Sequence, residues 1–262
     1  MNELEHQNPE PRANVLGVGV SAINTDVALA RIARALESKI KGYICVTGVH
    51  GVSEAQNDPA FRAILNRAFL NTPDGIPTVW VGRFQGFRRM ARVYGPDLML
   101  AVCGYTAGRG YTHFLYGGAE GVAVELQRRL ERRFPGIKIV GTYTPPFRPL
   151  NAAESEDFVH RVAAAKPDIV WVGLSTPKQE KFMAEYWQKL DTTLMFGVGA
   201  AFDFHAGRVR QAPRWMQRSG LEWLYRLGCE PRRLWWRYLK NNPLFVLRLL
   251  GQLTGLRRYS LD

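Results

Sequence analysis

Thr112-His113-Phe114-Leu115-Tyr116, then Gly117-Gly118, then residues 119–134 (AEGVAVELQRRLERRF), then Pro135-Gly136 and Ile137-Lys138-Ile139-Val140-Gly141, together set the fold class. The stretch reads as strand, tight turn, helix, stop and strand. The same grammar continues toward the C-terminus. Residues 154–165 predict a helix closed by Pro167, 168–174 a strand, 177–190 a helix and 194–198 a strand. Toward the N-terminus, Tyr94-Gly95-Pro96-Asp97 is a turn before a helix over 98–105, and Asp58-Pro59 opens a helix that runs to Arg67. Residues 43–47 are a short buried strand. Residues 15–23 form an apolar, β-branched run, and Asn24-Thr25-Asp26 caps a helix carrying Val27, Ala30, Ile32, Ala33 and Leu36. Strands alternating with helices predict an α/β fold, Rossmann-like, with a doubly wound, mostly parallel sheet and helices on both faces.

After Gly207 the pattern changes. Residues 213–218, 221–227 and 231–256 read as helices rich in Arg and Trp, with no strand between them. The expected organisation is a loose, flexible tail at 1–13, an α/β catalytic domain at 14–205, and a helical basic appendage at 206–262. The net charge of +12 is concentrated there: residues 208–262 hold twelve Lys and Arg against three Asp and Glu, a net +9, with four of the seven Trp (Trp215, Trp223, Trp235 and Trp236). Such a field seeks an anionic partner. Leu244, Phe245, Leu247, Leu249, Leu250 and Leu253, beside Arg248, Arg257 and Arg258, resemble an interfacial amphipathic helix, so 206–262 is expected to associate with an anionic membrane surface. No nucleic-acid reader motif accompanies the charge, and nucleic acid is not an expected partner.

The first 25 residues show no basic head followed by an apolar core, and no apolar run reaches the ~18 residues of a bilayer span. The expected location is cytoplasmic. Cys45, Cys103 and Cys229 are too far apart for a Cys-x-x-Cys site and read as small buried hydrophobes.

In open α/β sheets, ligands bind where the strands end. Gly117-Gly118 would let a phosphate approach the N-terminus of the following helix. Ser175-Thr176-Pro177-Lys178-Gln179-Glu180 combines a helix start (a capping Ser or Thr, Pro at the first position, Glu180 in capping-box register) with Lys178 and Gln179, suited to a phosphate and a base or sugar edge. Asn71-Thr72-Pro73-Asp74-Gly75-Ile76-Pro77 puts a carboxylate between two prolines after a short strand, where it can act as a general base. Val46-Thr47-Gly48-Val49-His50-Gly51 puts a histidine directly after a strand. His113, His160 and His205 show no metal-ligand spacing. Gly17-Val18-Gly19-Val20-Ser21-Ala22, with Glu37 downstream, formally fits a dinucleotide fingerprint and keeps an NAD(P)-dependent oxidoreductase open as an alternative; a non-enzymatic basic binding module is the other. In the fingerprint the helix starts inside the glycines, whereas strand character here continues to Ile23. No P-loop, G-x-S-x-G elbow, H-E-x-x-H helix or Asp-x-Asp pair occurs.

The blocks NTPDGIP (71–77), VYGPDL (93–98), FLYGG (114–118), FPGIKIVGTYTPPF (134–147), PDIVWVGLSTPKQE (167–180), GVGAAFDFHAG (197–207) and GLEWLYRLGCEPRRLWWRYL (220–239) together resemble the WecG/TagA/CpsF glycosyltransferases, in the order seen there. The resemblance implies an inverting, metal-independent enzyme without a cofactor. It would move a sugar from a UDP-sugar to a polyprenyl-diphosphate-linked glycan in cell-surface polysaccharide or exopolysaccharide biosynthesis, peripheral at the cytoplasmic face of the inner membrane. It implies Asp74 as the base, Thr47 as its assistant, and Arg92 and Gln179 at the UDP-sugar. Arg214, Arg226, Arg232 and Arg233 are the candidates to stabilise the diphosphate. His50 stands where many members differ and becomes a candidate to share the base role; Ser175 and Gln211 are further departures from the usual blocks. A homo-oligomer is left open.

Overall fold

The computed structural model of the chain describes residues 10–261, and the side chains of all of these except Arg233, Arg237 and Lys240. Residues 1–9 of the expected tail lie outside them. The run at 15–23 is not one strand. It belongs to an antiparallel hairpin of β1 (Arg12–Val15) and β2 (Val18–Ser21), closed by Leu16-Gly17. Both turn residues have positive φ, 54° and 82°, the geometry of a two-residue hairpin turn. Sequence periodicity cannot see such a turn when a buried leucine occupies it. The hairpin takes in Arg12 and Ala13 of the expected tail, and Arg12 donates to the carbonyls of Asn66 (2.7 Å) and Ala68.

Behind the hairpin lies a six-stranded parallel sheet in the order β4-β3-β8-β7-β5-β6. Its strands are β3 (Gly42–Thr47), β4 (Leu70–Pro73), β5 (Thr112–Gly117), β6 (Lys138–Tyr143), β7 (Ile169–Gly173) and β8 (Leu194–Gly197). Two-residue alternation feeds two cores. Ile44, Leu115, Trp171 and Phe196 face α1 (Thr25–Glu37), α5 (Gly95–Thr106), α6 (Val122–Arg133) and α9 (Ala201–His205). Cys45, Tyr116, Val172 and Met195 face α2 (Val49–Ala55), α3 (Pro59–Arg67), α7 (Ala152–Ala165), α8 (Lys178–Tyr186) and the hairpin.

Two caps fall on residues expected of them, and a third stands ahead of the helix expected at 154–165, which starts at Ala152. Asn24 accepts from Val27 N, Asp58 accepts from Phe61 N, and Asn151 with Glu154 forms a capping box. The PKQE segment departs: α8 starts at Lys178, and Thr176 bonds the Glu180 side chain instead of capping the backbone. Tyr116, Phe182 and Tyr186 stack with centroids 4.3 and 4.4 Å apart and fix α8 against β5.

The chain leaves β5 through α6 on one face and β7 through α8 on the other, so the strand order reverses between these neighbours. A crevice at the strand ends belongs there. The contact is tight: a Cβ on Gly117 would meet the Gly173 carbonyl oxygen at 2.6 Å, and Gly118 N–H donates to that same oxygen at 3.0 Å. The glycine turn is therefore required first by strand packing.

Beyond α9 follow α10 (Arg214–Arg218), α11 (Glu222–Cys229) and α12 (Pro231–Leu253), and α4 (Ile76–Phe84) stands earlier, after β4. This segment packs onto the α/β body. Phe245 is buried in the hairpin-side core, and Gln252 bridges the Leu16 N–H (2.9 Å) and the Asn14 carbonyl (2.9 Å). Cys229 is exposed on α11, unlike buried Cys45 and Cys103, because the faces of that short helix are left largely to solvent. Among the described residues no helix is long and apolar enough to cross a membrane.

Gly117→Ala forces a side chain into the Gly173 backbone at φ 122°, and should cost about 2 kcal/mol or more in urea unfolding. Gly86→Ala, at φ 97° with nothing within 4 Å of its new Cβ, bears only the backbone term and should cost about 1 kcal/mol.

Candidate active site

Asp74 follows β4 at the carboxyl edge of the sheet, and the strand itself contains Asn71, Thr72 and Pro73, residues expected to lie beyond it. Pro73 and Pro77 stiffen the approach on either side. Asp74 N–H donates to the Thr47 carbonyl at 3.1 Å, and Oδ1 accepts from Gly95 N–H at 3.2 Å. Oδ2 faces Gly48, where an added Cβ would lie 3.6 Å away. Burial pushes the carboxyl above its ordinary 3.8; Arg92 opposes that shift, Glu222 reinforces it, and Gly95 and Arg226 oppose it. A carboxyl held this way accepts a proton more readily than an exposed aspartate.

Arg92 is the centre of a small network. Its Nε donates to the Asp74 carbonyl, Nη1 to the Gln217 carbonyl at 3.2 Å, and Nη2 to Glu222 Oε2 at 2.5 Å. Its guanidinium lies 4.1 Å over the Tyr94 ring, and Tyr94 Oη donates to Glu222 Oε1 at 2.8 Å. The fork of Arg92 is thus spent on Asp74 and on the C-terminal helices, and it holds Asp74 in place rather than standing open to a ligand. Glu222 and Tyr94 were not singled out in sequence, although both stand in quoted blocks: an acid inside a basic segment is the one signal that marked Glu222.

Next along the edge, Thr47 is buried and its Oγ1 has no hydrogen-bond partner among the described residues. A Cβ on Gly51 would touch Thr47 Cγ2 at 3.2 Å and Thr176 Cγ2 at 3.9 Å, which joins β3 to the PKQE segment. Glu180 is buried, with Oε1 accepting from Thr176 Oγ1 (2.8 Å) and Gln179 Nε2 (3.0 Å), and burial raises its carboxyl. Glu180 Oε2 and Gln179 Oε1 have no partner among the described residues. Gln179 lies across the end of β8, where a Cβ on Gly197 would meet its Cδ at 3.2 Å. Lys178 is exposed at the start of α8. His50 on α2 lies 3.3 Å from Asn241 Nδ2 of α12 and 3.6 Å from Glu54.

The structure therefore gathers Asp74, Thr47, Arg92, His50, Gln179 and Glu180 at neighbouring strand ends. Gly117-Gly118 shares the edge, but four interstrand steps of about 4.8 Å separate β5 from β4, roughly 19 Å. Of the arginines expected at the diphosphate, Arg226 sits close enough to act on Asp74, whereas Arg214 and Arg232 are exposed and the Arg233 side chain lies outside the described residues. Arg208, not among the candidates, brings Nη2 to 3.8 Å from a Cβ built on Gly121, just before α6. His113 is structural: Trp171 Nε1 donates to it at 3.0 Å, Thr106 Oγ1 lies 2.9 Å away, and burial lowers its pKa to about 4. Among the described residues no group of three or more His, Cys, Asp or Glu stands together. Gly17–Ala22 lies in the hairpin rather than at a strand-to-helix turn, so the dinucleotide fingerprint lacks its geometry.

A half-buried carboxylate and buried polar groups with no partner among the described residues meet at the carboxyl edge of a parallel sheet, the edge where α/β enzymes bind their ligands. The profile of the glycosyl transferase WecG/TagA/CpsF family matches residues 13–259. The N-acetylglucosaminyldiphosphoundecaprenol N-acetyl-beta-D-mannosaminyltransferase of Bacillus spizizenii is 33% identical over 211 residues, covering 80% of this chain and 79% of the relative. Its namesake from Bacillus subtilis (strain 168) is 31% identical over 209 residues, covering 77% and 79%. The chain belongs to the WecG/TagA/CpsF glycosyltransferase family and is a glycosyltransferase.

Because folding raises the Asp74 carboxyl above its ordinary 3.8, ionising it opposes folding. That penalty is absent below the ordinary value, grows as pH rises toward the folded value, and is complete above it. Asp74→Asn keeps an oxygen for Gly95 N–H and should melt at a higher temperature than the parent at pH 8, the gap closing as pH falls toward about 4. A lower melting point for the variant at pH 8 contradicts the assignment.

Proposed function

We propose that the chain transfers a sugar from a UDP-sugar to a polyprenyl-diphosphate-linked sugar, with inversion at the anomeric carbon, for cell-surface polysaccharide assembly. The names of both relatives describe transfer of an N-acetylmannosaminyl group to an undecaprenyl-diphosphate-linked N-acetylglucosamine, which supports the acceptor class. The observation that carries the reading is Asp74: a carboxyl with a raised proton affinity, at a sheet edge lined by buried polar atoms with no partner among the described residues.

In the proposed mechanism, Asp74 Oδ2 takes the proton from the acceptor hydroxyl as its oxygen attacks the anomeric carbon. The bond from that carbon to the diphosphate oxygen breaks on the opposite face, and UDP leaves with the electron pair. Thr47 Oγ1, Gln179 Oε1 and Glu180 Oε2 supply hydrogen bonds to the hydroxyls and amide of the sugars, since buried polar atoms call for partners. Burial raises the Glu180 carboxyl, which favours the form that can donate to a sugar oxygen. Arg226 and Arg208, with Arg214, Arg232 and Arg233 as further candidates, neutralise the growing charge on the diphosphate, a task that often falls to a divalent cation. Gly117-Gly118 and Lys178 serve the far, nucleotide end of an extended donor. Residues 206–262 rest on the cytoplasmic face of a membrane, with exposed Trp215, Trp235, Trp236 and Leu247 turned to the lipid.

The test is free UDP released from a panel of UDP-sugars in the presence of a lipid-linked acceptor. Asp74→Asn and Asp74→Ala should each lower turnover by about 10²-fold or more while the protein stays folded. Near-parental rates in both overturn the base assignment. Release of UDP from no donor overturns the reaction.

A further inference from the structure

α4 starts two residues after Asp74, and its two faces differ sharply. The inner face is tight: Thr78, Val79 and Val81 are buried, and a Cβ on Gly82 would collide with Met90 Sδ at 2.1 Å. The outer face carries Trp80, 59% exposed, and Phe84, 71% exposed, at i and i+4 on one side of the helix. Arg83, Arg88 and Arg89 are exposed around them. Residues 75–96 contain four Arg and no Asp or Glu, and neither Arg88 nor Arg89 has an acidic partner among the described residues. Aromatic rings ringed by unneutralised guanidinium groups match the boundary of an anionic bilayer, where rings reach the acyl region and cations meet the headgroups. A second copy of this chain fits poorly, because a two-fold interface would set these arginines against their own images.

The face also joins the C-terminal helices. A Cβ on Gly220, between α10 and α11, would lie 3.6 Å from Ile76 Cβ at the head of α4. Trp215 and Trp223, 64% and 40% exposed, flank that turn in sequence.

We infer that the Trp80–Phe84 face of α4 is a second membrane-docking surface, separate from residues 206–262, which seats the Asp74 corner of the sheet edge on anionic lipid. Its catalytic consequence rests on the reading that the acceptor is lipid-linked. A base anchored two residues from a lipid-bound helix meets an acceptor sugar whose diphosphate lies at the headgroups, while the soluble donor enters from the other end of the edge.

The experiment uses the full chain and sedimentation with phosphatidylcholine vesicles containing about a third phosphatidylglycerol. Trp80→Ser/Phe84→Ser should weaken vesicle binding by about tenfold with the melting temperature unchanged, since both side chains are exposed. Arg88→Gln/Arg89→Gln should weaken it too and flatten its salt dependence. Transfer to an acceptor embedded in the vesicles should fall in step, while transfer to a short-chain, water-soluble acceptor stays at the parental rate. Parental vesicle binding in both variants overturns the inference. So does a lipid-free dimer of the parent that Trp80→Ser/Phe84→Ser dissolves, which would give the face to a second copy. Absence of transfer by the parent to either acceptor would instead overturn the proposed reaction and leave the vesicle result standing.

Discussion

Arg92 holds the two parts of the site together. One guanidinium meets the backbone of Asp74, the backbone of Gln217 and the carboxylate of Glu222, so the sheet edge and the basic C-terminal helices share a single buried cation. The Arg92 and Glu222 side chains are only 16% and 13% exposed, which puts this pair outside the class of weak surface bridges. Removing either partner leaves the other charge buried and uncompensated, an outcome that typically costs several kcal/mol. Tyr94 adds a ring under the cation and a hydroxyl to the same carboxylate. Asn241 reaches His50 from α12, so a further C-terminal helix also contacts the elements at the strand ends.

The arrangement accounts for a strongly basic segment that carries an acid in its middle. Glu222 is not a stray charge on a positive surface. It docks the helices where Arg226 can act on Asp74. The balance at Asp74 is then one of opposing effects: burial and Glu222 raise the carboxyl, Arg92 and Arg226 lower it, and burial is the largest. That outcome, a carboxyl with a higher proton affinity than a free one, is the one the proposed general base calls for.

The alternation of strands and helices was plain from residue 94 onward, because each element there is bounded by glycine, proline or a capping residue. The hairpin was not, since Leu16 takes a left-handed conformation that its chemistry does not advertise and Gln252 and Gln56 hold it from outside. The place of Asp74 at the sheet edge could be read from Pro73-Asp74-Gly75, where rigid neighbours flank one carboxylate at a strand end. Glu180 stands where a capping box would place it, but Pro177 takes the cap position without a side-chain cap bond, and the Glu180 carboxylate turns inward to Thr176 and Gln179. Gly117-Gly118 looked like a phosphate turn, yet its first requirement is contact with Gly173, a long-range neighbour that no local pattern reveals. Arg92 carried a role borrowed from resemblance, and only the packing of Glu222 against it, 130 residues away in sequence, shows what its fork is spent on.

The coupling between Arg92 and Glu222 is the most direct measure of whether the C-terminal helices complete the site at Asp74. A double-mutant cycle on the transfer rate, with Arg92→Gln, Glu222→Gln and the pair together, separates the possibilities. If one shared contact positions the base, the double variant transfers sugar no more slowly than the slower single variant. Losses that multiply in the double variant would mean that the two residues act independently, and the account of a base positioned from the C-terminal helices would be wrong.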